Sequence, residues 1–189
     1  ERMKWSAICL RSFLNNDYII AVKQLVDLVE KLKIAAFYET SVEFMFLPGI
    51  VEIYGLDDLD ASTKAMTSIT TFTTCEFAVR PFYLKYPKEM LKQTMAWSKH
   101  EDFKVRRLSS EGIRPMLPWA MGLPYYKKDP SDIIPILENL KDDPEEFVRR
   151  SVANNLNDIS KNQPELVLDI ADKWFGENEN RNRLVKHAL

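Results

Sequence analysis

The chain has 189 residues, 46% of them apolar and only five glycines, which suits one folded domain or one short solenoid and excludes a disordered chain. Its 26 lysines and arginines stand against 28 aspartates and glutamates, a net charge of −2. That balance argues against a uniformly basic nucleic-acid binder and makes the placement of the basic residues the deciding question.

Taken in chain order, Arg2 and Lys4 lead into an amphipathic stretch rather than a secretory h-region. The start at Glu1 and the stop at Leu189 within an apparent helix predict that both native termini lie beyond this chain. Asp17 reads as a helix cap, and Leu25, Leu28, Val29 and Leu32 follow at i, i+3, i+4, i+7. The most apolar stretch, Phe44 to Tyr54, is interrupted by Pro48, Gly49 and Glu52 and is too short to span a bilayer. Breakers recur at Gly55, Pro115 to Pro118, Gly122 to Pro124, Asp142 to Pro144 and Gly176. Ser131 and Asp143–Pro144 read as further helix starts, and the segment Tyr125–Tyr126–Lys127–Lys128 reads as an exposed loop. No stretch alternates with period two, so the expectation is an all-α chain forming a single domain over residues 1–189. Cys9 and Cys75 make neither a disulfide framework nor a metal spacing, and His100 and His187 are too few for a histidine-based zinc site. A reduced, cytoplasmic monomer with no cofactor, no metal and no membrane contact is expected.

The chain repeats itself. Phe103–Lys104–Val105–Arg106–Arg107 aligns with Glu146–Phe147–Val148–Arg149–Arg150 at an offset of 43 residues. At the same offset Met90, Leu91, Thr94 and Trp97 fall on Ile133, Ile134, Leu137 and Leu140; separately, Pro87 to Trp97 aligns with Pro164 to Trp174 at an offset of 77. Repeats of roughly 34 to 47 residues point to paired-helix solenoids of the HEAT type, in which neighbouring pairs stack to bury their apolar faces. Trp97 and Trp174, at equivalent positions, are expected in the core, as are Met66, Met90 and Met95.

In each pair the second helix carries a polar stripe. Arg107, Glu111 and Arg114 lie at i, i+4, i+7, as do Arg150, Asn154 and Asn157 with Asp158 beside them. Glu76 and Arg80 upstream, and Arg183 and His187 downstream, repeat the i, i+4 spacing. Such a stripe on successive helices would form a wall suited to phosphate oxygens. The chain has no serine nucleophile box, glycine-rich phosphate loop or metal cluster, so few enzyme classes remain. Cleavage of an N-glycosidic bond to a cationic base needs little acid catalysis, only a carboxylate near the developing oxocarbenium charge and an aromatic face. Glu76, Asp158 and Trp119 are of the right types. The same residues admit a plainer reading: Arg–Glu pairs four apart are ordinarily solvated ion pairs, a glutamate at a helix start complements the dipole, and Trp119 packs against the next helix.

Three segments carry a resemblance. They are Thr74–Cys75–Glu76–Phe77–Ala78–Val79–Arg80–Pro81–Phe82, Val105 through Trp119, and Val148 through Lys161. Together they resemble the AlkC branch of the AlkC/AlkD-like DNA alkylation-repair glycosylases, over roughly residues 40–189. The resemblance implies a helical solenoid whose concave face cradles double-stranded DNA in the bacterial cytosol or nucleoid. It also implies monofunctional excision of cationic bases such as 3-methyladenine, and of 3-methylcytosine, in base-excision repair without obligatory base flipping. Glu76 and Asp158 match the catalytic acids, Trp119 the aromatic, and Arg107, Glu111 and Arg114 the polar helix residues; Arg150, Asn154 and Asn157 complete the expected DNA-binding set. Where the branch has Arg-Pro-Arg-Leu-Pro-Trp, this chain has Arg114–Pro115–Met116–Leu117–Pro118–Trp119, with a basic residue lost at Met116. The alternative is a non-catalytic HEAT-like module that binds DNA structures or a protein partner.

Overall fold

The computed structural model describes residues 2–37 and 42–189, and the described residues are all-α, without strands. They divide into two compact units, residues 1–86 and 87–189.

The first unit comprises α1 (Arg2–Arg11), α2 (Tyr18–Ile34), a 3-10 turn over Val42–Phe46, α3 (Gly49–Tyr54), α4 (Leu59–Thr70) and α5 (Arg80–Lys85). Asp17 caps α2 as its sequence predicts, accepting from the Ile20 N–H at 3.0 Å. Leu25 and Val29 are buried, with Leu28 and Leu32 at the edge, and α2 packs on α4. Gly55 ends α3 where no side chain fits: a Cβ there would lie 2.1 Å from the Tyr18 hydroxyl and 2.4 Å from Ser62 Oγ. Those two hydroxyls bond each other at 2.7 Å, and Ser62 donates to the Gly55 carbonyl.

The second unit is built of α6 (Pro87–Trp97), α7 (Phe103–Glu111), α8 (Pro124–Lys128), α9 (Ile134–Leu140), α10 (Glu146–Ser160), α11 (Pro164–Trp174) and α12 (Glu179–Ala188). The repeat holds in detail. Helices α6, α9 and α11 are the apolar first members of three pairs. Met90, Ile133 and Val167 occupy equivalent buried places, as do Trp97, Leu140 and Trp174. Burial of each such large side chain contributes about 1.5–3 kcal/mol. The partners α7, α10 and α12 pack side by side with α10 in the middle.

The first arginine of each Val-Arg-Arg triplet is structural. Arg106 donates to the carbonyls of His100 and Glu101, and Arg149, 43 residues on, donates to those of Asp143 and Pro144. Each guanidinium therefore ties its helix to the loop that precedes it. Arg106 also grips the buried Asp143 carboxylate of the next pair, at 2.5 Å from Nε, which joins successive repeats and raises the Arg106 pKa.

Three local expectations are corrected. Ser131 does not cap α9: its N–H is taken by Asp129, the Pro130 carbonyl accepts from Ile133 and Ile134, and the helix begins only at Ile134. Pro144 is not the first residue of α10, because Asp143 accepts the Glu145 N–H and delays the helix to Glu146. Tyr125 to Lys128 is helical rather than an open loop, and Tyr126 is buried, which pushes its phenol up to about 12.

Candidate active site

A concentration of buried charge inside the second unit lies where α7, the loop after it and the end of α10 meet. Helix α7 stops at Glu111 because Gly112 follows and Pro115 cannot continue it. Arg114 therefore lies past the helix rather than on its face, which departs from the simple i+7 expectation. It nonetheless turns back: Nη1 donates to Glu111 Oε1 at 2.7 Å and Nε to Asp158 Oδ2 at 2.9 Å. The other Glu111 oxygen accepts from Ser151 Oγ at 2.6 Å, with Arg107 Nη2 at 3.7 Å. Asp158 Oδ1 receives the Lys161 ammonium at 3.0 Å. Arg107, Glu111, Arg114 and Asp158 thus form one network. Burial works against the Arg114 charge, but its hydrogen bond to Asp158 and the Glu111 charge outweigh it and raise its pKa.

Asp158 sits in the last turn of α10, where the helix dipole disfavours an anion, and its side chain is only 2% exposed. Neither position nor burial favours a carboxylate, so its two cationic partners are what permit it. Those partners differ: Arg114 is 11% exposed, whereas Lys161 is 50% exposed and is the movable one. Ser151 and Lys161 were not singled out from the sequence. Lys161, three residues after Asp158, carried a readable i, i+3 signal; Ser151 did not.

Arg114 also opens the loop that carries Trp119. This loop is closed by the Leu123 N–H on the Pro115 carbonyl at 3.2 Å and anchored by buried Leu117 and Leu123. Met116, Met121 and Trp119 point outward, and Trp119 is 99% exposed. Packing against the next helix is therefore overturned for Trp119. Its backbone is left-handed, with φ of 63°, a conformation costing a bulky residue on the order of 1–2 kcal/mol. An exposed aromatic on strained backbone stabilises nothing in the unit.

The remaining stripe residues on α10 divide by use. Asn154 Oδ1 meets His187 Nε2 at 3.0 Å, and Asn157 donates to the Ala188 carbonyl at 3.3 Å, so both amides join α10 to α12. Arg150 is exposed and makes no hydrogen bond or ion pair with a described residue.

In the first unit Glu76 is half-buried in the turn before α5, where its Oε2 accepts from Thr74 Oγ1 at 2.9 Å. Arg80 is wholly buried. Burial likewise pushes the neighbouring Cys75 thiol pKa up. Among the described residues no group of three or more histidine, cysteine or acidic side chains could hold a metal ion, and no helix is long and apolar enough to cross a membrane.

Residues 58–187 match the family described as DNA alkylation repair enzyme. The chain is 43% identical over 188 residues to the uncharacterised protein YhaZ of Bacillus subtilis strain 168, matching all of this chain and 51% of that protein. It is similar, with a TM-score of 0.91 and 39% identity, to Pseudomonas fluorescens alkylpurine DNA glycosylase AlkC bound to DNA containing an abasic site analog, again over 100% of this chain and 51% of the other. AlkD2 from Streptococcus mutans, at 24% identity and a TM-score of 0.66 over 98% and 97% of the two chains, shares the helical-repeat fold. The chain spans about half the length of the first two of these relatives.

Proposed function

The chain belongs to the DNA alkylation repair enzyme family, and from that premise we propose that it is a monofunctional DNA glycosylase that hydrolyses the N-glycosidic bond of cationic alkylated bases in duplex DNA, 3-methyladenine foremost and 3-methylcytosine next. The observation that carries this reading is the Asp158 carboxylate, buried at an electrostatically unfavourable helix end and held there by Arg114 and Lys161. A positively charged base leaves without a strong acid, so the demand falls on stabilising the oxocarbenium-like sugar. A preoriented carboxylate in a low-dielectric setting does that well. Arg114 fixes Asp158 through Oδ2, and the exposed Lys161 leaves Oδ1 when a phosphate competes for its ammonium. Oδ1 then faces the sugar or orients the attacking water. Trp119 supplies a π face to the cationic base or sugar. Glu76 is assigned as a second carboxylate for the reaction, and Arg107, Glu111, Arg114, Arg150, Asn154 and Asn157 as the DNA-binding set, with Arg150 in direct backbone contact, Arg107, Glu111 and Arg114 acting through the Asp158 network and Asn154 and Asn157 through their bonds to α12.

The test is release of 3-methyladenine from methylated DNA. Release by the chain, abolished in Glu76→Gln with Asp158→Asn, supports the proposal. Salt-sensitive DNA binding with no release above that double variant favours the non-catalytic module instead.

A further inference from the structure

A second polar feature of residues 87–189 is a cleft of about 270 Å³ between α10 and α12. Its walls carry Arg149, Arg150 and Arg183 with His187, against the single carboxylate of Glu146, over a floor of Ala153 and Leu184. In a chain of net charge −2 this is a local excess of positive charge. The three arginines are not equivalent. Arg149 is committed to the carbonyls of Asp143 and Pro144. Arg150 has no partner among the described residues, and Arg183 holds only an exposed i, i+4 pair with Glu179, whose side chain is 78% exposed. A pair of that kind is worth well under about 1 kcal/mol and yields readily to a phosphodiester. His187 is fixed by Asn154, so one ring nitrogen is engaged and the ring is oriented.

We propose that this cleft is a phosphodiester seat in which Arg150 and Arg183 clasp one DNA backbone position at a set distance from the lesion; the proposal rests on the glycosylase reading above. The distance follows from the helix. Arg150 and Asp158 are both on α10, eight residues apart, so they are separated by about 12 Å along its axis. A strand running along α10 advances about 3.4 Å per nucleotide, which puts the clasped phosphate three to four nucleotides from the base whose bond is cleaved. The cleft is thus a ruler: it sets the register of the duplex and leaves the chemistry to the Asp158 network.

The experiment measures binding of the full chain to a lesion-bearing duplex as a function of salt. Arg150→Ala and Arg183→Ala should each flatten the slope of log affinity against log salt by about 1, Arg150→Lys should restore it, and Lys64→Ala on α4, which removes an equal charge elsewhere, should not flatten it. Duplexes with a single neutral methylphosphonate should show the register: at three or four nucleotides from the lesion on one side, and not at other positions, wild type and the two alanine variants bind alike. Each variant is checked for a wild-type melting temperature, which the exposure of both arginines favours. Unchanged slopes in folded variants, an equal loss in Lys64→Ala, or no dependence on methylphosphonate position overturns the seat while base release by the wild type still stands. Failure of the wild type to bind DNA at all overturns both.

Discussion

The two units bury polar groups of different kinds. Among the described residues of 1–86 the buried polar side chains apart from Arg80 are hydroxyls: Ser62 bonds the Gly55 carbonyl at the end of α3, and Thr63 the Leu59 carbonyl one turn back on α4. In residues 87–189 they include Glu111, Asp143 and Asp158, answered by Arg106 and Arg114 from other elements. A neutral hydroxyl bonded to a nearby backbone carbonyl costs little. A carboxylate–guanidinium pair taken out of water is often less stabilising than apolar residues of the same volume. Internal charge in the second unit therefore answers two needs that packing alone does not. Arg106–Asp143 joins consecutive repeats, and under the proposed function the Arg114 network holds a carboxylate ready.

The contrast can be broken most severely at Arg114. Its replacement by alanine leaves Glu111 and Asp158 without their nearest buried cation, and should lower stability by about 3–5 kcal/mol in a urea titration. Combining Arg114→Met with Glu111→Leu and Asp158→Leu should recover most of that loss and abolish base release. A cost under about 1 kcal/mol for the single change would mean that the network is ordinary surface electrostatics. In the first unit the matching weak point is steric. Gly55→Ala forces a methyl into the Tyr18 and Ser62 hydroxyls and should cost about 1–3 kcal/mol, with little change in DNA binding at temperatures where the protein stays folded.

A change of opposite sign is expected at Trp119. Glycine there relieves the left-handed backbone and removes no buried contact, so Trp119→Gly should hold stability level or raise it by up to about 1 kcal/mol. Base release should fall at the same time; a destabilised variant with full activity would contradict both halves. The smallest effect concerns the cysteines. Cys9 is exposed and Cys75 buried with a raised pKa, so a thiol reagent should label Cys9 alone in the native protein, as read by mass spectrometry. Because the folded state keeps the Cys75 proton, its stabilising contribution is fully present below the ordinary thiol pKa of about 8.5 and declines as pH rises above it.

Much of this architecture was legible in the sequence because repetition and helical period are local signals. The 43-residue offset located α6–α7 and α9–α10 and also paired Arg106 with Arg149, although their shared task on loop carbonyls became visible only in three dimensions. What the sequence hid depends on where helices end. Arg114 reads as a helix-face residue, yet it reaches Glu111 and Asp158 from a turn created by Gly112 and Pro115. Asn154 and Asn157 have the spacing of a binding stripe, and their amides are engaged by α12, which no periodicity announces. For Trp119 the sequence admits both an aromatic face for a cationic base and packing on the next helix, and its exposure follows from a loop closed at 3.2 Å between Leu123 and Pro115.

Under the proposed function the buried carboxylate at the end of α10 carries the chemistry. Single-turnover release of 3-methyladenine from methylated duplex, comparing wild type with Asp158→Asn at saturating protein, addresses it directly. The substitution preserves shape and the approach of Arg114 while removing the charge. The wild type should release the base, and the variant should do so at a rate lower by about 10²-fold or more, the scale of a lost electrostatic contact to a transition state. Equal rates in a variant that melts like the wild type would contradict it.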